Sequence, residues 1–478
     1  MPDRPTAARD HPTDTAIARA VQPLARAHPG CSGVLALPHG RDAFAVRMQL
    51  ADAAERTLDV QYYIWRNDLS GRLLTQALQR AADRGVRVRL LLDDNGTAGL
   101  DGVLAALDAH PRIEVRLFNP FRHRRWRWLG FLTEFGRLNR RMHNKSFTAD
   151  GQVAVLGGRN VGDEYFGAPV DTLFMDLDVL LAGPAAQDVA ADFERYWDSA
   201  PAVPLREAVH AAPQPLEPPP AAAAHSYLEA VSRSPFMTEL LARRAPLEWT
   251  PVALVSDAPL KVLGRVAEAD LLWNRMQQLL QAPRRSLYLV SPYFVPLRRG
   301  ARQLAALARS GVQVAVLTNA LESTDVAAVH AGYARWRRWL LRAGVQLLEM
   351  RRDWALPEAH GLPRGRRLGR SSGTSLHAKT FAVDGERVFV GSFNFDPRSA
   401  RLNTELGVLI DSPAMAQELA RQFAQDLPER TYRLSLAGRR RLRWQLPDGT
   451  LVAREPGAGW GRRLAVRLLS HLPIDHLL

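Results

Sequence analysis

The feature that most constrains the fold of this chain is an internal repeat. Residues 142–160, MHNKSFTADGQVAVLGGRN, and residues 376–394, LHAKTFAVDGERVFVGSFN, align without a gap and share seven identical positions. Both read His-x-Lys, followed by Asp-Gly, Gly and Asn at matching distances. Such self-similarity predicts two copies of one structural unit within the 478-residue chain.

The residues before each copy also follow one order of helices and strands. Hydrophobic periodicity predicts helix 43–56, strand 58–65, helix 70–85 and strand 86–94, and later strand 286–295, helix 298–311 and strand 312–319. Gly85 and Gly311 suit the C-terminal caps of the two crossover helices. Because a strand–helix–strand unit joins parallel strands, the sequence predicts an α/β fold with two duplicated lobes. We expect each lobe to be a mixed, mostly parallel β-sheet flanked by helices, with a pseudo-twofold axis relating the two.

Composition predicts five segments along the chain. They are a polar N-terminal extension (1–32), a first lobe (33–200), a Pro/Ala-rich linker (201–249), a second lobe (250–430) and a basic, amphipathic C-terminal segment (431–478). The Pro and Ala content after residue 200 favours an extended linker. The alternative is a surface excursion packed on one lobe.

The chain is strongly basic, with 63 Lys and Arg against 49 Asp and Glu and a net charge of +14. This excess predicts an anionic partner, which is phospholipid, nucleic acid or a phosphate-bearing substrate. Cys31 is the single cysteine, which excludes a disulfide framework and a Cys-rich metal cluster. No stretch approaches the roughly 18 apolar residues that span a bilayer, and the polar residues 1–30 do not read as a signal peptide. At a membrane, we therefore expect the protein to lie on the surface.

The two His-x-Lys pairs are placed for shared chemistry. Alternation along a strand puts His143 and Lys145 on one face, and likewise His377 and Lys379. Buried strands have no structural use for a matched set of His, Lys and Asn, so packing alone does not explain the repeat. If the lobes face each other, both pairs enter one site.

Such a site suits a phosphodiester. One neutral imidazole can attack phosphorus, while the other, when protonated, gives a proton to the leaving oxygen and later takes one from the incoming alcohol or water. An ordinary imidazole pKa of about 6.5 allows both states near neutrality. The expected donors to the phosphoryl oxygens are Lys145, Lys379, Asn160 and Asn394. Ser392 is expected to add a hydroxyl donor where the first copy has Gly158.

The two copies resemble the paired HKD motifs of the phospholipase D superfamily. The resemblance implies a phosphohistidine intermediate and no metal or other cofactor, and no His, Asp and Glu in the sequence have metal-ligand spacing. Asp150 and Asp384 complete the catalytic motifs at their third position, where the resemblance implies a structural rather than a reactive role. Asp176 and Glu405 resemble the acids that orient the imidazoles, the alternative being a solvated strand edge.

Longer strings narrow the resemblance. YYIWRNDLSGRLLTQAL, TDVAAVHAGYARWRR and GSFNFDPRSARLNTELGVLI look like bacterial cardiolipin synthases, and VAREPGAGWGRRLAVRLLSHLPIDHLL is most similar to their C-type branch. The resemblance implies phosphatidyl transfer from phosphatidylethanolamine or phosphatidylglycerol to phosphatidylglycerol. By analogy, His143 is the nucleophile and His377 the acid and base. The expected partner is an anionic phospholipid membrane and not a nucleic acid, with peripheral attachment to the cytoplasmic face of a bacterial inner membrane.

Three alternatives explain parts of the same pattern. A phospholipase D hydrolase would use the same residues and release phosphatidic acid. A nuclease of the superfamily would also explain the charge, but its simple members have one motif and dimerise. A non-catalytic membrane adaptor has no use for two intact motifs.

Three further residues are candidates for the lipid head-group pocket. Asp94 follows a predicted strand, at the end where ligand sites of α/β sheets gather. His330 and Tyr333 follow another strand and share one face of a predicted helix. A structural role is the alternative for each of these residues.

Two segments are candidates for membrane contact. Residues 120–132, PFRHRRWRWLGFL, combine basic side chains with Trp126 and Trp128, a composition suited to an anionic interface. Trp460 begins the amphipathic stretch 460–478, where an interfacial helix and a helix docked on the core fit equally.

Overall fold

The computed structural model of the chain describes residues 12–124, 127–167, 172–324, 326–352, 373–438 and 441–470. The helices in these ranges are α1 (Ala16–Ala27), α2 (Gly40–Ala53), α3 (Leu69–Asp83), α4 (Asp101–Asp108), α5 (Arg127–Thr133), α6 (Phe135–Leu138), α7 (Asp163–Phe166), α8 (Pro184–Trp197), α9 (Leu205–Ala208), α10 (Ala221–Arg233), α11 (Phe236–Leu241), α12 (Leu272–Leu280), α13 (Leu297–Arg309), α14 (Ala327–Ala334), α15 (Arg337–Arg342), α16 (Pro397–Arg401), α17 (Pro413–Arg421) and α18 (Trp460–Leu469). The strands are β1 (Ser32–Leu37), β2 (Thr57–Ile64), β3 (Arg87–Gly96), β4 (Ile113–Phe118), β5 (Ser146–Ala149), β6 (Val153–Gly157), β7 (Thr172–Met175), β8 (Asp178–Ala182), β9 (Ala202–Pro204), β10 (Glu248–Thr250), β11 (Val252–Ser256), β12 (Ser286–Val290), β13 (Gln313–Asn319), β14 (Gln346–Met350), β15 (Gly373–Leu376), β16 (Thr380–Val383), β17 (Arg387–Gly391), β18 (Leu406–Ile410), β19 (Thr431–Ala437), β20 (Arg441–Gln445) and β21 (Leu451–Val452).

Each lobe is built on one large sheet, and the two sheets share an order of strands. The first sheet runs β10-β1-β8-β6-β5-β2-β3-β4-β9, and the second runs β11-β18-β17-β16-β12-β13-β14-β19-β20-β21. The stretch from β1 to β4 in the first order matches the stretch from β11 to β14 in the second. The predicted α/β class, with duplicated mixed sheets and flanking helices, is therefore confirmed.

The prediction that each sheet is mostly parallel is wrong, because most strand pairs in both sheets are antiparallel. Parallel pairs join only β2, β3 and β4 in the first sheet and β12, β13 and β14 in the second, and the other neighbours in the two sheets are antiparallel. The reason lies in the Asp-Gly dipeptides of the repeat. Asp150-Gly151 and Asp384-Gly385 all have left-handed φ, between 52° and 69°, which makes tight turns in the three-residue loops between antiparallel strands.

The crossover helices begin and end as the sequence predicts. The carboxylate of Asp68 caps α3 by accepting a hydrogen bond from the backbone N–H of Gly71. Gly85 and Gly311 follow α3 and α13 with φ of 97° and 95°. Left-handed backbone costs glycine little, so these residues end both helices and return the chain to the sheet.

The two sheets face each other across an apolar core. Leu156 and Leu181 from the first sheet pack in one buried cluster with Val290, Val390 and Val408 from the second. A small parallel sheet of β7 and β15 adds main-chain hydrogen bonds between the lobes. Burial of each such side chain stabilises the contact by about 1.5–3 kcal/mol, so the lobes are held as one unit.

The predicted linker is wrong, and the alternative of a packed excursion describes residues 201–249. Strand β9 pairs with β4 and β10 pairs with β1, at the two edges of the first sheet. Between them, α10 buries Tyr227 and α11 buries Leu240 against the first core. The Ala-rich run forms a helix because alanine has the highest helix propensity, and its apolar face is covered by the lobe.

Both predicted terminal boundaries also move. In the N-terminal extension, Ile17 and Val21 of α1 are fully buried in the first core. In the C-terminal segment, β19, β20 and β21 extend the second sheet beyond β14. In each segment, apolar side chains recur at the spacing of a helix or a strand. The average composition of the segment is polar and does not reveal this pattern.

Candidate active site

Each His-x-Lys motif lies where one lobe meets the other. His143 lies three residues before β5 begins at Ser146, and its backbone N–H donates to the carbonyl of Thr404 in the second lobe, at 2.9 Å. His377 precedes β16, and its N–H donates to the carbonyl of Met175 in the first lobe, at 2.7 Å. Strand ends from one half therefore fix the backbone of the other half's motif.

The imidazoles pair crosswise with carboxylates. Nδ1 of His143 lies 2.9 Å from Oε2 of Glu405, and Nδ1 of His377 lies 2.5 Å from Oδ2 of Asp176. An ionised carboxylate only accepts, so both Nδ1 atoms hold a proton and both Nε2 atoms of the neutral rings have a lone pair. The first-lobe acid thus holds the second-lobe histidine, and the second-lobe acid holds the first-lobe histidine.

The two carboxylates are supported differently. Ser392 Oγ donates to Oε2 of Glu405 at 2.5 Å, and Ser399 Oγ donates to Oε1 at 2.7 Å. Oδ1 of Asp176 accepts from the backbone N–H of Leu177 at 2.8 Å. At Gly158, an added Cβ would lie 2.1 Å from that same Oδ1, so only glycine fits.

This geometry changes one prediction. The hydroxyl of Ser392 was expected to donate to a phosphoryl oxygen, but it donates to Glu405. Ser392 occupies a position where a longer glutamate leaves room for a side chain, whereas the shorter Asp176 must lie against the backbone at Gly158.

The two lysines are buried beside their own histidines. Nζ of Lys145 donates to the carbonyl of His143 at 2.5 Å and lies 5.6 Å from the centre of the Tyr63 ring. Nζ of Lys379 lies 3.0 Å from Nδ1 and 3.3 Å from Nε2 of His377. Only the second-lobe lysine therefore contacts its imidazole.

Burial sets the protonation of the site. It lowers the pKa of both His143 and His377 to about 4, and the nearby ammonium groups add to the shift despite the opposing carboxylates. Burial also lowers the pKa of Lys145 to about 7, with Lys379 contributing and Glu405 opposing. The sequence analysis assumed an ordinary imidazole pKa near neutrality. Both motif histidines instead have lowered pKa values.

The carboxylates remain charged. Burial alone would raise the pKa of Asp176 and of Glu405, but the paired imidazoles and the lysines outweigh it and hold both pKa values below the usual range. At neutral pH the site therefore contains two neutral imidazoles between two carboxylates and two buried amines.

The two asparagines differ. The amide of Asn160 donates to the Tyr165 hydroxyl at 2.9 Å and accepts from the Ile64 backbone at 3.2 Å. The buried side-chain oxygen of Asn394 has no hydrogen-bond partner within the described part of the chain. The free atom of Asn394 is an acceptor, so it can take a hydrogen bond from a hydroxyl or amine of a bound group but cannot donate to a phosphoryl oxygen.

Two tyrosines at the site were missed by the sequence analysis. The Tyr63 ring lies 5.1 Å from the His143 ring, and the Tyr165 ring lies 5.1 Å from the His377 ring, both edge to face. Each excludes water from one side of an imidazole. Tyr165 could have been found from its position five residues after the motif asparagine, whereas Tyr63 is one aromatic in the run YYIW.

The third motif residues do not join the histidines. Asp150 and Asp384 lie in the hairpin turns at the opposite ends of β5 and β16. Oδ1 of Asp150 accepts from the backbone N–H groups of Arg56 and Thr57 at 2.8 and 3.0 Å, and Asp384 binds the backbone of Arg285 and neighbouring residues in the same way. Their contacts fix turns and strand ends.

The predicted head-group residues are enclosed elsewhere. Asp94 is fully buried and contacts Arg124, and it accepts from the Phe121 backbone N–H at 2.7 Å. His330 is buried with its Nε2 3.2 Å from Glu455, and Tyr333 packs beside it. The structure does not bring these three residues to the imidazoles.

The predicted membrane residues are exposed where they are described. Trp128 on α5 is 63% exposed and Trp460 on α18 is 80% exposed, while Trp126 lies outside the described residues. Across the described ranges, no helix is both long and apolar enough to span a bilayer. Within the same ranges, no three His, Cys, Asp or Glu side chains are grouped as a metal ion would require.

Comparison with known proteins defines the class and then the family. The family described as "Cardiolipin synthase, PLD-like domain" matches this chain twice, at residues 48–197 and 276–427. Cardiolipin synthase C of Escherichia coli (strain K12) is 48% identical over 97% of this chain and 99% of that protein. Cardiolipin synthase of Geobacillus kaustophilus (strain HTA426) is 27% identical over 82% of this chain and 65% of that protein.

The fold agrees with this assignment. Phosphatidylserine synthase of Haemophilus influenzae Rd KW20 superposes with a TM-score of 0.59 and 14% identity, over 97% of this chain and all of that one, a likeness of fold alone. The chain belongs to the phospholipase D superfamily and, within it, to the cardiolipin synthase family. It is an enzyme of the phosphatidyltransferase class.

Proposed function

We propose that this enzyme makes cardiolipin by moving a phosphatidyl group from a donor lipid to phosphatidylglycerol through a phosphohistidine. The donor is phosphatidylethanolamine or a second phosphatidylglycerol. The observation that carries the proposal is the pair of crossed imidazole–carboxylate contacts, at 2.9 and 2.5 Å, within a duplicated motif. The near full-length similarity to cardiolipin synthase C supports the same products.

In the first step, Nε2 of His143 attacks the donor phosphorus. The new N–P bond forms as the bond from phosphorus to the head-group oxygen breaks, and protonated His377 gives its proton to that oxygen. Glu405 keeps the proton of His143 on Nδ1 and balances the charge that the ring gains. The products are a phosphatidyl-histidine and a free ethanolamine or glycerol.

In the second step, a hydroxyl of phosphatidylglycerol attacks the same phosphorus. His377, now neutral, takes the hydroxyl proton as the new O–P bond forms and the N–P bond breaks. His143 is regenerated and cardiolipin leaves. His377 therefore donates a proton to the leaving alcohol in the first step and accepts a proton from the incoming alcohol in the second.

The lysine positions support His143 as the nucleophile. The ammonium of Lys379 contacts both ring nitrogens of His377. This contact occupies the Nε2 lone pair that His377 would need in order to attack phosphorus. Both lysines donate to the backbone carbonyl of their own histidine, but Lys145 makes no such ring contact among the described residues, so it leaves the His143 ring open. When a phosphodiester enters, its oxygens accept hydrogen bonds from both ammonium groups, and within Asn394 only the amide nitrogen can donate to them.

Protonation of the acid is coupled to binding. Burial is the main cause of the low imidazole pKa values. A phosphodiester anion beside His377 favours the charged ring, so the substrate itself raises the pKa and brings in the proton that the leaving group needs.

Transfer instead of hydrolysis requires water to be excluded while the acceptor waits. Tyr63 and Tyr165 already cover the imidazoles edge-on. We propose that a membrane surface closes the remaining side, with the protein bound peripherally to the cytoplasmic face of a bacterial inner membrane. Attachment of this kind delivers lipid acceptors at high local concentration.

The test is a lipid assay on purified protein in vesicles of phosphatidylglycerol, with and without phosphatidylethanolamine. Cardiolipin is followed together with released glycerol and ethanolamine. Cardiolipin in molar balance with one released head group supports the proposal and identifies the donor. Phosphatidic acid as the main product would replace it with the hydrolase alternative, and a His143→Ala, His377→Ala double variant is the inactive control.

A further inference from the structure

A large basic cavity lies in the second lobe and shares none of its lining with the active site. It has a volume of about 640 Å³ and is enclosed by α14, α15, β20 and α18. Its arginines are Arg335, Arg337, Arg338, Arg454, Arg463 and Arg467. Glu455 is the one acid in the lining, as far as the chain is described.

The charge of Glu455 is already used within the wall. Its carboxylate contacts Arg337 and lies 3.2 Å from Nε2 of His330. Arg337 is itself buried and lies 2.9 Å from a second buried acid, Glu349, behind the cavity. The wall is therefore held rigidly, and the cavity has a large excess of positive charge.

Helix α18 forms one side of this cavity and exposes an apolar stripe beside it. Trp460, Leu464 and Leu468 follow one another at four-residue spacing and are 80%, 47% and 63% exposed. On the opposite face, Val466 is 4% exposed and packs on Leu321 and other residues of the core. The helix is thus docked on the lobe and still presents large side chains to the outside.

The cavity arginines of α18 lie between these two faces. Arg463 and Arg467 are offset by roughly 100° and 60° from the centre of the apolar stripe, at 100° per residue. A bilayer that takes up Trp460, Leu464 and Leu468 to the depth of its acyl chains brings its phosphates level with the cavity mouth. Tryptophan and arginine side by side suit that boundary.

We propose that this cavity and stripe form an anionic-phospholipid site that anchors the second lobe to the membrane, separate from catalysis. The arginines hold the phosphate of one acidic lipid, and α18 lies in the interface. This inference rests on the proposed function only in expecting a phospholipid membrane as the working surface. The chemistry it requires is a phosphate attached to acyl chains, because the cavity alone would accept free phosphate.

The test measures flotation of the full chain with vesicles of phosphatidylcholine, with and without phosphatidic acid. Two variants remove each half of the site: Arg463→Gln with Arg467→Gln, and Leu464→Ser with Leu468→Ser. Two matched controls change exposed residues elsewhere: Arg298→Gln with Arg302→Gln, the same spacing on α13, and Leu241→Ser with Leu279→Ser. Thermal unfolding confirms that each variant is folded.

The expected result is that both site variants lose about tenfold or more in affinity for the acidic vesicles, while the controls change little. Binding of the arginine variant should also respond less to salt. Inorganic phosphate should compete only weakly with vesicles. Equal binding by site and control variants would overturn the proposal, and so would full competition by free phosphate.

A mixture of soluble short-chain phosphatidylglycerol and phosphatidylethanolamine, below the micelle concentration, separates this inference from the proposed function. Its turnover should be the same in the site variants and the natural sequence, because the active site is untouched. Loss of turnover in the site variants would contradict an anchoring role. If the natural sequence has no turnover but the flotation differences persist, the proposed function fails and the lipid site stands.

Discussion

The two halves of the active site come from one repeated motif, yet they are built differently. In one half, His143 pairs with Glu405, whose two oxygens accept from Ser392 and Ser399. In the other, His377 pairs with Asp176, which lies against the backbone where Gly158 leaves no space for a side chain. A duplication starts with equal halves, and the difference between them agrees with the proposal that each imidazole has its own role.

The largest effects should come from the histidines. His143→Ala should abolish transfer, by roughly four orders of magnitude or more, because it removes the nucleophile. His377→Ala should cost about two to four orders, since the leaving group then lacks its acid. With donor lipid labelled at phosphorus, alkali-stable, acid-labile label should appear slowly on His377→Ala protein and not on His143→Ala protein. The opposite pattern would exchange the two roles.

The next effects should come from the crossed acids. Asp176→Asn and Glu405→Gln keep the size of each side chain but replace an acceptor with an amide that can donate to Nδ1. That favours the wrong tautomer, so we expect losses of about 10² to 10⁴ in kcat in both variants. The matched controls are Asp384→Asn and Asp150→Asn, whose turns lie away from the imidazoles. These two control variants should lower the melting temperature, because they weaken the turns, but they should leave kcat per folded molecule nearly unchanged.

Smaller losses of activity, of unequal size, should follow when Ser392 and Gly158 are each replaced by the residue of the other motif. Ser392→Gly removes one hydrogen bond to a buried carboxylate, which should cost about tenfold in activity. Gly158→Ser places a Cβ 2.1 Å from the Asp176 carboxylate, so it must displace that acid and should resemble Asp176→Asn. Equal activity of the two variants, measured at equal folded concentration, would show that the halves are interchangeable.

The smallest effect concerns protons. Because burial holds the imidazole pKa values at about 4, binding of an anionic phosphodiester at pH of about 6 should raise the pKa of one ring and lead to uptake of a proton. Above pH of about 7, Lys145 should add to the uptake, because its lowered pKa leaves it partly neutral there.

Calorimetry in buffers of different ionisation enthalpy measures this uptake. At the lower pH it should be at most one proton and should vanish in His377→Gln. Uptake that vanishes in His143→Gln and persists in His377→Gln would contradict the assigned acid. No uptake in the natural sequence would show that the acid is protonated by another route.

The sequence predicted the parts of the site that the repeat encodes. Both His-x-Lys pairs lie at one lobe interface, and the acids after the motifs contact the imidazoles. Which acid meets which histidine was not predictable, because strand alternation specifies a face and not a partner across the interface. The lowered imidazole pKa also required the structure, since it depends on burial from both lobes.

The errors in the fold have similar causes. The Asp-Gly turns were present in both copies, but the strand–helix–strand signal alone decided the predicted pairing. Residues 201–249 were interpreted from average composition, although their alanines form a helix whose buried Tyr227 contacts the first lobe. His330 and Tyr333 share a helical face, as predicted, but that face meets Glu455 from far along the chain.

The crosswise pairing has an evolutionary consequence. A lobe expressed by itself would contain a histidine without its carboxylate and a carboxylate without its histidine, so neither half is a smaller working version of the whole. Because Asp176 and Glu405 each contact the histidine of the other lobe, loss of either copy from the fused chain would leave the remaining histidine without its carboxylate. Selection therefore acts on the two copies together. A change at a histidine or carboxylate in one copy is tolerated only if its partner in the other copy remains compatible.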